Sequence, residues 1–83
     1  MKIRVRFFAS LREALGPEES LELPDGARVA DARLQLISRG GAYAQALAPG
    51  RAVRCSLNQQ MAQDDAPLAD GAELAFFPPV TGG

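Results

Sequence analysis

The chain ends in Phe76-Phe77-Pro78-Pro79-Val80-Thr81-Gly82-Gly83, and this run constrains the fold more than any other stretch. Two prolines fix φ and remove two backbone donors, so any sheet must release the chain at Phe77. Val80 and Thr81 favour extended backbone. Gly82 and Gly83 lack a Cβ, so the terminal carboxylate can enter a channel too narrow for a side chain. A frayed terminus is the alternative, but such ends are commonly polar or charged. This one carries no charged side chain and runs straight out of an apolar strand. The run has the make-up of a segment inserted into a partner.

The opening residues carry the matching signal. Ile3, Val5 and Phe7 alternate with Lys2, Arg4, Arg6 and Phe8, which predicts a strand over Lys2–Ala9 with one buried face. Ser10 and Glu13 have capping-box spacing and predict a short helix through Leu15, with Leu11, Ala14 and Leu15 buried and Gly16-Pro17 as its stop. A second strand is expected over Ser20–Leu23, antiparallel to the first, closed by Pro24-Asp25-Gly26. Val29–Ser38 has helical spacing, with Asp31 and Arg39 placed to suit the helix dipole, and Gly40-Gly41 ends it. Ala42–Ala48 reads as a short helical turn. Further strands are expected at Ala52–Leu57, Met61-Ala62 and Ala72–Phe77, with a turn at Asn58-Gln59-Gln60.

One main helix crossing a mixed sheet is an α+β arrangement, and its first and last strands belong side by side as a central parallel pair. Parity then places Ile3, Val5, Phe7, Leu74 and Phe76 under the helix. It places Phe8 and Phe77 together on the opposite face, beside Ala75, as a partner-binding patch or as isolated surface aromatics.

Composition excludes several function classes. Eighty-three residues make one domain, and 47% hydrophobic with 23% charged residues is ordinary for a folded soluble protein. A formal charge of −1 lacks the basic surplus that nucleic-acid binding needs. No apolar run reaches membrane-spanning length, and the charged alternation from Lys2 is unlike a signal peptide, so a cytoplasmic protein is expected. There is no histidine and one cysteine, Cys55. A Cys/His metal site cannot be built, and the commonest general acid–base is missing. Cys55 alternates with Val53 and Leu57 on the inward face, which fits packing better than a sulfur relay.

Phe7-Phe8-Ala9, Arg12-Glu13, Leu57-Asn58-Gln59 and the closing stretch from Leu68 through Asp70-Gly71 to Gly83 resemble the small-subunit family of molybdopterin synthase. These are ubiquitin-like, β-grasp sulfur carriers of molybdenum cofactor biosynthesis. The resemblance implies a mixed sheet of about five strands on one main helix, with a β-grasp domain over residues 1–77 and a flexible extended tail over 78–83. It weakens between Ala27 and Arg51, which are Ala-, Arg- and Gly-rich.

The resemblance also implies a chemistry centred on Gly83. An E1-like enzyme would use ATP to form a transient C-terminal acyl-adenylate, and a sulfur donor protein would convert it to a thiocarboxylate. The loaded tail would give its sulfur to cyclic pyranopterin monophosphate inside the large subunit, in a heterotetramer, to build the dithiolene. The chain would be the non-catalytic, sulfur-donating subunit of a sulfurtransferase, with no permanently bound cofactor or metal. Gly83 supplies the reacting atom and Gly82 the slimness. Pro78, Pro79, Val80 and Thr81 belong to the inserted segment. Phe8, Arg12, Met61 and Phe77 match family contacts with the large subunit, while Arg12 also reads as a solvated helix residue and Met61 as core filling. A carrier for another pathway of the thiazole-synthesis type and a ubiquitin-like protein modifier share the Gly-Gly end.

Overall fold

The computed structural model describes residues 1–79. β1 (Lys2–Phe7), α1 (Ala9–Leu15), β2 (Glu18–Glu22), α2 (Val29–Ile37), α3 (Gly41–Leu47), β3 (Arg54–Leu57), β4 (Gln60–Ala62) and β5 (Glu73–Phe77) follow in chain order. The strands form one five-stranded sheet in the order β2-β1-β5-β3-β4. β1 and β5 are the expected parallel pair, in register from Arg4↔Glu73 to Phe7↔Phe76. β2 lies antiparallel on the outside of β1, and β3 lies antiparallel to β5.

Alternation decides which side chains meet the helices. Ile3, Val5, Phe7, Leu74 and Phe76 are buried against Val29, Ala32, Leu36 and Leu47. The Phe7 and Phe76 rings stack at 6.3 Å between centroids, and Tyr43 meets Phe7 edge-on at 6.5 Å. Among the described residues no polar or charged side chain is buried, so the core holds together by apolar burial and packing.

α1 departs from expectation at its start. It begins at Ala9 and its N-cap is Phe8, which makes no side-chain capping bond, so the Ser10/Glu13 capping box does not form. The reason is local. Ala9 adopts φ 54° and turns the chain at once, and the Phe8 carbonyl accepts from the Leu11 and Arg12 amides. Ser10 is already inside the helix by then and cannot cap it. Ala14 is exposed, while Leu11 is buried and Leu15 half-buried.

α2 places Val29, Ala32 and Leu36 on its buried face. At its start, Asp31 Oδ2 accepts the Arg28 amide at 2.8 Å. The Val29 and Ala30 amides donate to the carbonyls of Ala66 and Asp64, so the loop before β5 supplies the rest of the cap. Arg39 lies past the C-cap Ser38 and does not serve the helix end as expected; it pairs with Glu19 of β2. Tyr43 donates to the same carboxylate at 2.6 Å.

The short helical turn expected over Ala42–Ala48 is a seven-residue helix, α3, which follows the main helix α2. Its small side chains hid its extent: most of its apolar residues are alanines, and only Leu47 is fully buried. Arg33 secures its end from outside the segment. The Arg33 guanidinium donates to the carbonyls of Leu47, Ala48 and Arg51 at 2.8, 2.9 and 3.3 Å. Such long-range capping leaves no local trace in sequence.

Strand limits shift by a few residues from the expected ones. β1 stops at Phe7, β2 starts at Glu18, β3 at Arg54 and β5 at Glu73. Asn58 and Gln59 form the two-residue turn between β3 and β4, both at positive φ (51° and 69°). Type I′ geometry requires this, because its twist matches that of the flanking strands.

Candidate functional site: the open sheet face at the tail root

The face of the sheet turned away from the helices collects the side chains that parity predicted. Phe8 follows the last β1–β5 register pair, Phe7↔Phe76, and Phe77 follows it on the other strand. The Phe8 amide donates to the Phe76 carbonyl at 3.1 Å, which keeps Phe8 extended beside β5. Phe8 and Phe77 therefore share the open face, opposite Phe7 and Phe76. Phe8 is 36% exposed. Phe77 is half-buried, so the pair is less open than two free surface rings.

Met61 joins them through register. Ser56 of β3 pairs with Met61 on one side and Ala75 on the other, and Ala75 pairs with Arg6. Met61, Ser56, Ala75 and Arg6 thus form a row across the open face, one step back from Phe77 and Phe8. Met61 is 59% exposed, which removes its core-filling alternative. Ala75 is buried although it lies on this face, because larger neighbours flank it.

Arg12 is exposed on α1, one turn beyond Phe8. It forms no ion pair among the described residues, so both of its readings survive. Its helix stands at the end of the sheet where β5 releases the chain. There Pro78 lines a cleft of about 330 Å³ with Ser10, Leu11, Ala46, Arg51 and Val53. Pro78 and Pro79 are half-buried and outside any strand, as two prolines after a central strand require. The expectations for Val80, Thr81, Gly82 and Gly83 lie outside the described residues.

Parity placed Arg6 on this face but gave no sign of its partners. The Arg6 guanidinium lies 5.0 Å from the Phe8 ring centroid and 3.3 Å from Glu73 Oε1. Glu73 belongs to β5, far away in sequence, so only the β1–β5 register could have revealed the pair.

Cys55 is buried, and its thiol donates to the Ala62 carbonyl at 3.4 Å. Burial pushes the thiol above its ordinary value; Asp64 adds to this, and Arg33 and Arg54 oppose it. A buried thiol held in its protonated form is a poor nucleophile. Among the described residues no cluster of His, Cys, Asp or Glu could hold a metal ion.

What this arrangement can do is present a partly apolar face beside Pro78, where the chain leaves the sheet. A mixed five-stranded sheet with a central parallel pair and helices on one side defines a ubiquitin-like β-grasp domain. Residues 5–83 match the ThiS family, and the chain belongs to that family. It is 40% identical over 81 residues to the molybdopterin synthase sulfur carrier subunit of Escherichia coli, covering 98% of this chain and 99% of the relative. It is 38% identical over 82 residues to the subunit of that name from Haemophilus influenzae, covering 98% and 99%.

Solved structures agree. The crystal structure of SAMP1 from Haloferax volcanii superposes with a TM-score of 0.82 at 27% identity, covering 100% of both chains. A chain of the BexX/CysO complex from Amycolatopsis orientalis gives 0.66 at 26%, covering 98% of this chain and 99% of that one.

Proposed function

We infer that this chain is the sulfur-carrier small subunit of molybdopterin synthase. The observation that carries the reading is its end-to-end similarity to sulfur carrier subunits, 40% identical over 98% of the chain in one case. The location of Phe8, Phe77 and Met61 on one face at the tail root supports it, since a docked partner covering that face receives the chain end.

The partner is the large subunit of the synthase, in a heterotetramer. A likeness to a chain solved in a two-protein complex supports a stable protein partner for a fold of this kind. The Gly83 carboxylate is a poor electrophile until an E1-like enzyme joins it to AMP and releases pyrophosphate from ATP. Sulfide supplied by a sulfur donor protein then displaces AMP and leaves the thiocarboxylate. In the large subunit, the thiocarboxylate gives its sulfur to cyclic pyranopterin monophosphate at the sulfide level, while water supplies the oxygen that restores the Gly83 carboxylate. Two such deliveries build the dithiolene. Acids and bases for these steps belong to the partners, which suits a chain without histidine. A reducing cytoplasm is the compartment in which its free cysteine is at home.

A modifier role competes, favoured by the close superposition with SAMP1, the small archaeal modifier protein 1 of Haloferax volcanii. Intact mass spectrometry of the protein from its native cell separates the two. A sulfur-for-oxygen exchange at the terminal carboxyl supports the carrier. An isopeptide bond to a lysine of another protein, without any thiocarboxylate, overturns it.

A further inference from the structure

Glu73, Arg6 and Phe8 lie in series on the open face, and each end of the series is fixed. Phe8 is tied to β5 through its amide. The Glu73 amide donates to Asn58 Oδ1 at 3.0 Å, and the Asn58 amide returns a bond to the Glu73 carbonyl at 2.8 Å. The β3–β4 turn therefore holds the backbone of Glu73. Its carboxylate holds the Arg6 guanidinium at 3.3 Å, and the guanidinium lies 5.0 Å from the centre of the Phe8 ring.

We propose that Arg6 is a positioning residue for partner docking: clamped by Glu73, it pins the Phe8 ring as a preformed anchor for the large subunit. This rests on the reading of the chain as the small subunit of molybdopterin synthase. A ring 36% exposed on an open face would otherwise sample several rotamers. Freezing such a side chain on binding weakens association by roughly three- to tenfold, and prior stacking removes that loss. A guanidinium also suits this place better than an ammonium, because its plane can lie on a ring while its edge meets a carboxylate. With both contacts made, an apolar partner surface can cover the pair without stranding a bare charge.

The test is a double-mutant cycle on affinity for the large subunit of the same organism, measured by titration calorimetry with folding checked by circular dichroism. Arg6→Gln should weaken binding roughly three- to tenfold in the wild-type background. In a Phe8→Ala background the same exchange should cost less than about twofold, because the ring it positions is gone. Glu73→Gln leaves the guanidinium in place but unclamped, and should reproduce the pattern; it serves if Arg6→Gln does not fold. Equal losses in both backgrounds overturn the proposal, since Arg6 would then act on the partner directly. So does an unchanged affinity of the Arg6→Gln and Glu73→Gln variants. Failure of the wild-type chain to bind the large subunit overturns the functional reading and the docking role with it, and the wild-type titration alone identifies that case.

Discussion

Phe8 donates its amide hydrogen to the carbonyl of Phe76 at 3.1 Å, across the parallel pair of β1 and β5. This bond joins the residue that starts the turn into α1 to the strand from which the chain's end departs. It sets Phe8 beside Phe77 on the open face while Phe7 and Phe76 stack beneath, so one register fixes both the core and the proposed docking surface.

Replacing Phe77 by aspartate tests that surface. The ring is half-buried on the side away from the helices, so the domain should still fold. A charge at an aromatic anchor should weaken binding to the large subunit by about 2 kcal/mol or more. Titration calorimetry reads this directly, and an unchanged dissociation constant would remove Phe77 from the interface.

Deleting Gly83, or adding one residue after it, should abolish sulfur transfer and leave the thermal melt unchanged. The chemistry proposed for the chain resides in the terminal carboxylate, whereas the core lies between Ile3 and Phe76. Sulfur transfer retained by either variant would exclude a thiocarboxylate specific to Gly83.

Gln59→Gly should stabilise the domain. Gln59 sits at φ 69° in the β3–β4 turn, a conformation that costs an L-residue about 1–2 kcal/mol and glycine almost nothing. The greater unfolded-state entropy of glycine offsets part of this, leaving a gain of about 1 kcal/mol. For a domain of this size that is a rise in melting temperature of about 4–8 °C. A lower melting temperature would contradict the assigned turn geometry.

Arg33→Met should cost about 2–3 kcal/mol in denaturant unfolding, because three carbonyls at the end of α3 and in the following loop lose a charged donor. Hydrogen exchange should rise first in α3 and in residues 48–53. Uniform exchange across the domain would show that Arg33 does not act as a local clip.

Alkaline pH should destabilise the protein through two groups. The Tyr43 hydroxyl is raised above its ordinary value of 10.0, first by its hydrogen bond to Glu19 and then by burial. The Cys55 thiol is raised above 9.0, first by burial. In both cases the unfolded chain loses its proton at lower pH than the folded one. Their contribution is complete below the unfolded values and is lost as pH rises through the folded ones. Stability should therefore fall from about pH 9 upward, and less steeply in Cys55→Ala and Tyr43→Phe. Cys55→Ala should also keep full sulfur transfer. Complete loss of transfer in the folded variant would restore a relay role for the thiol.

Local periodicity sufficed for the strands and for α2, because apolar residues at period two, or three to four apart, can bury a face in only one way. The inward set Ile3, Val5, Phe7, Leu74 and Phe76 was legible for that reason, as was the shared side of Phe8 and Phe77. The diproline announced where β5 must end. α3 was legible only as a short helical turn, because it buries one leucine and takes its end-cap from Arg33. The start of α1 was misread because Ser10-x-x-Glu13 has the spacing of a capping box, and the turn at Ala9 uses up the position before it can act.

Residue order alone therefore set the side each strand residue faces, the exit of the chain at Pro78 and the lack of any histidine chemistry. Tertiary structure alone decided which residues become neighbours across strands: Met61 in the row of Ser56, Ala75 and Arg6, and Glu73 against Arg6. Alternation is a property of one strand and can be read along it. Register is a relation between strands, selected by the packing of the whole core, and no local pattern records it.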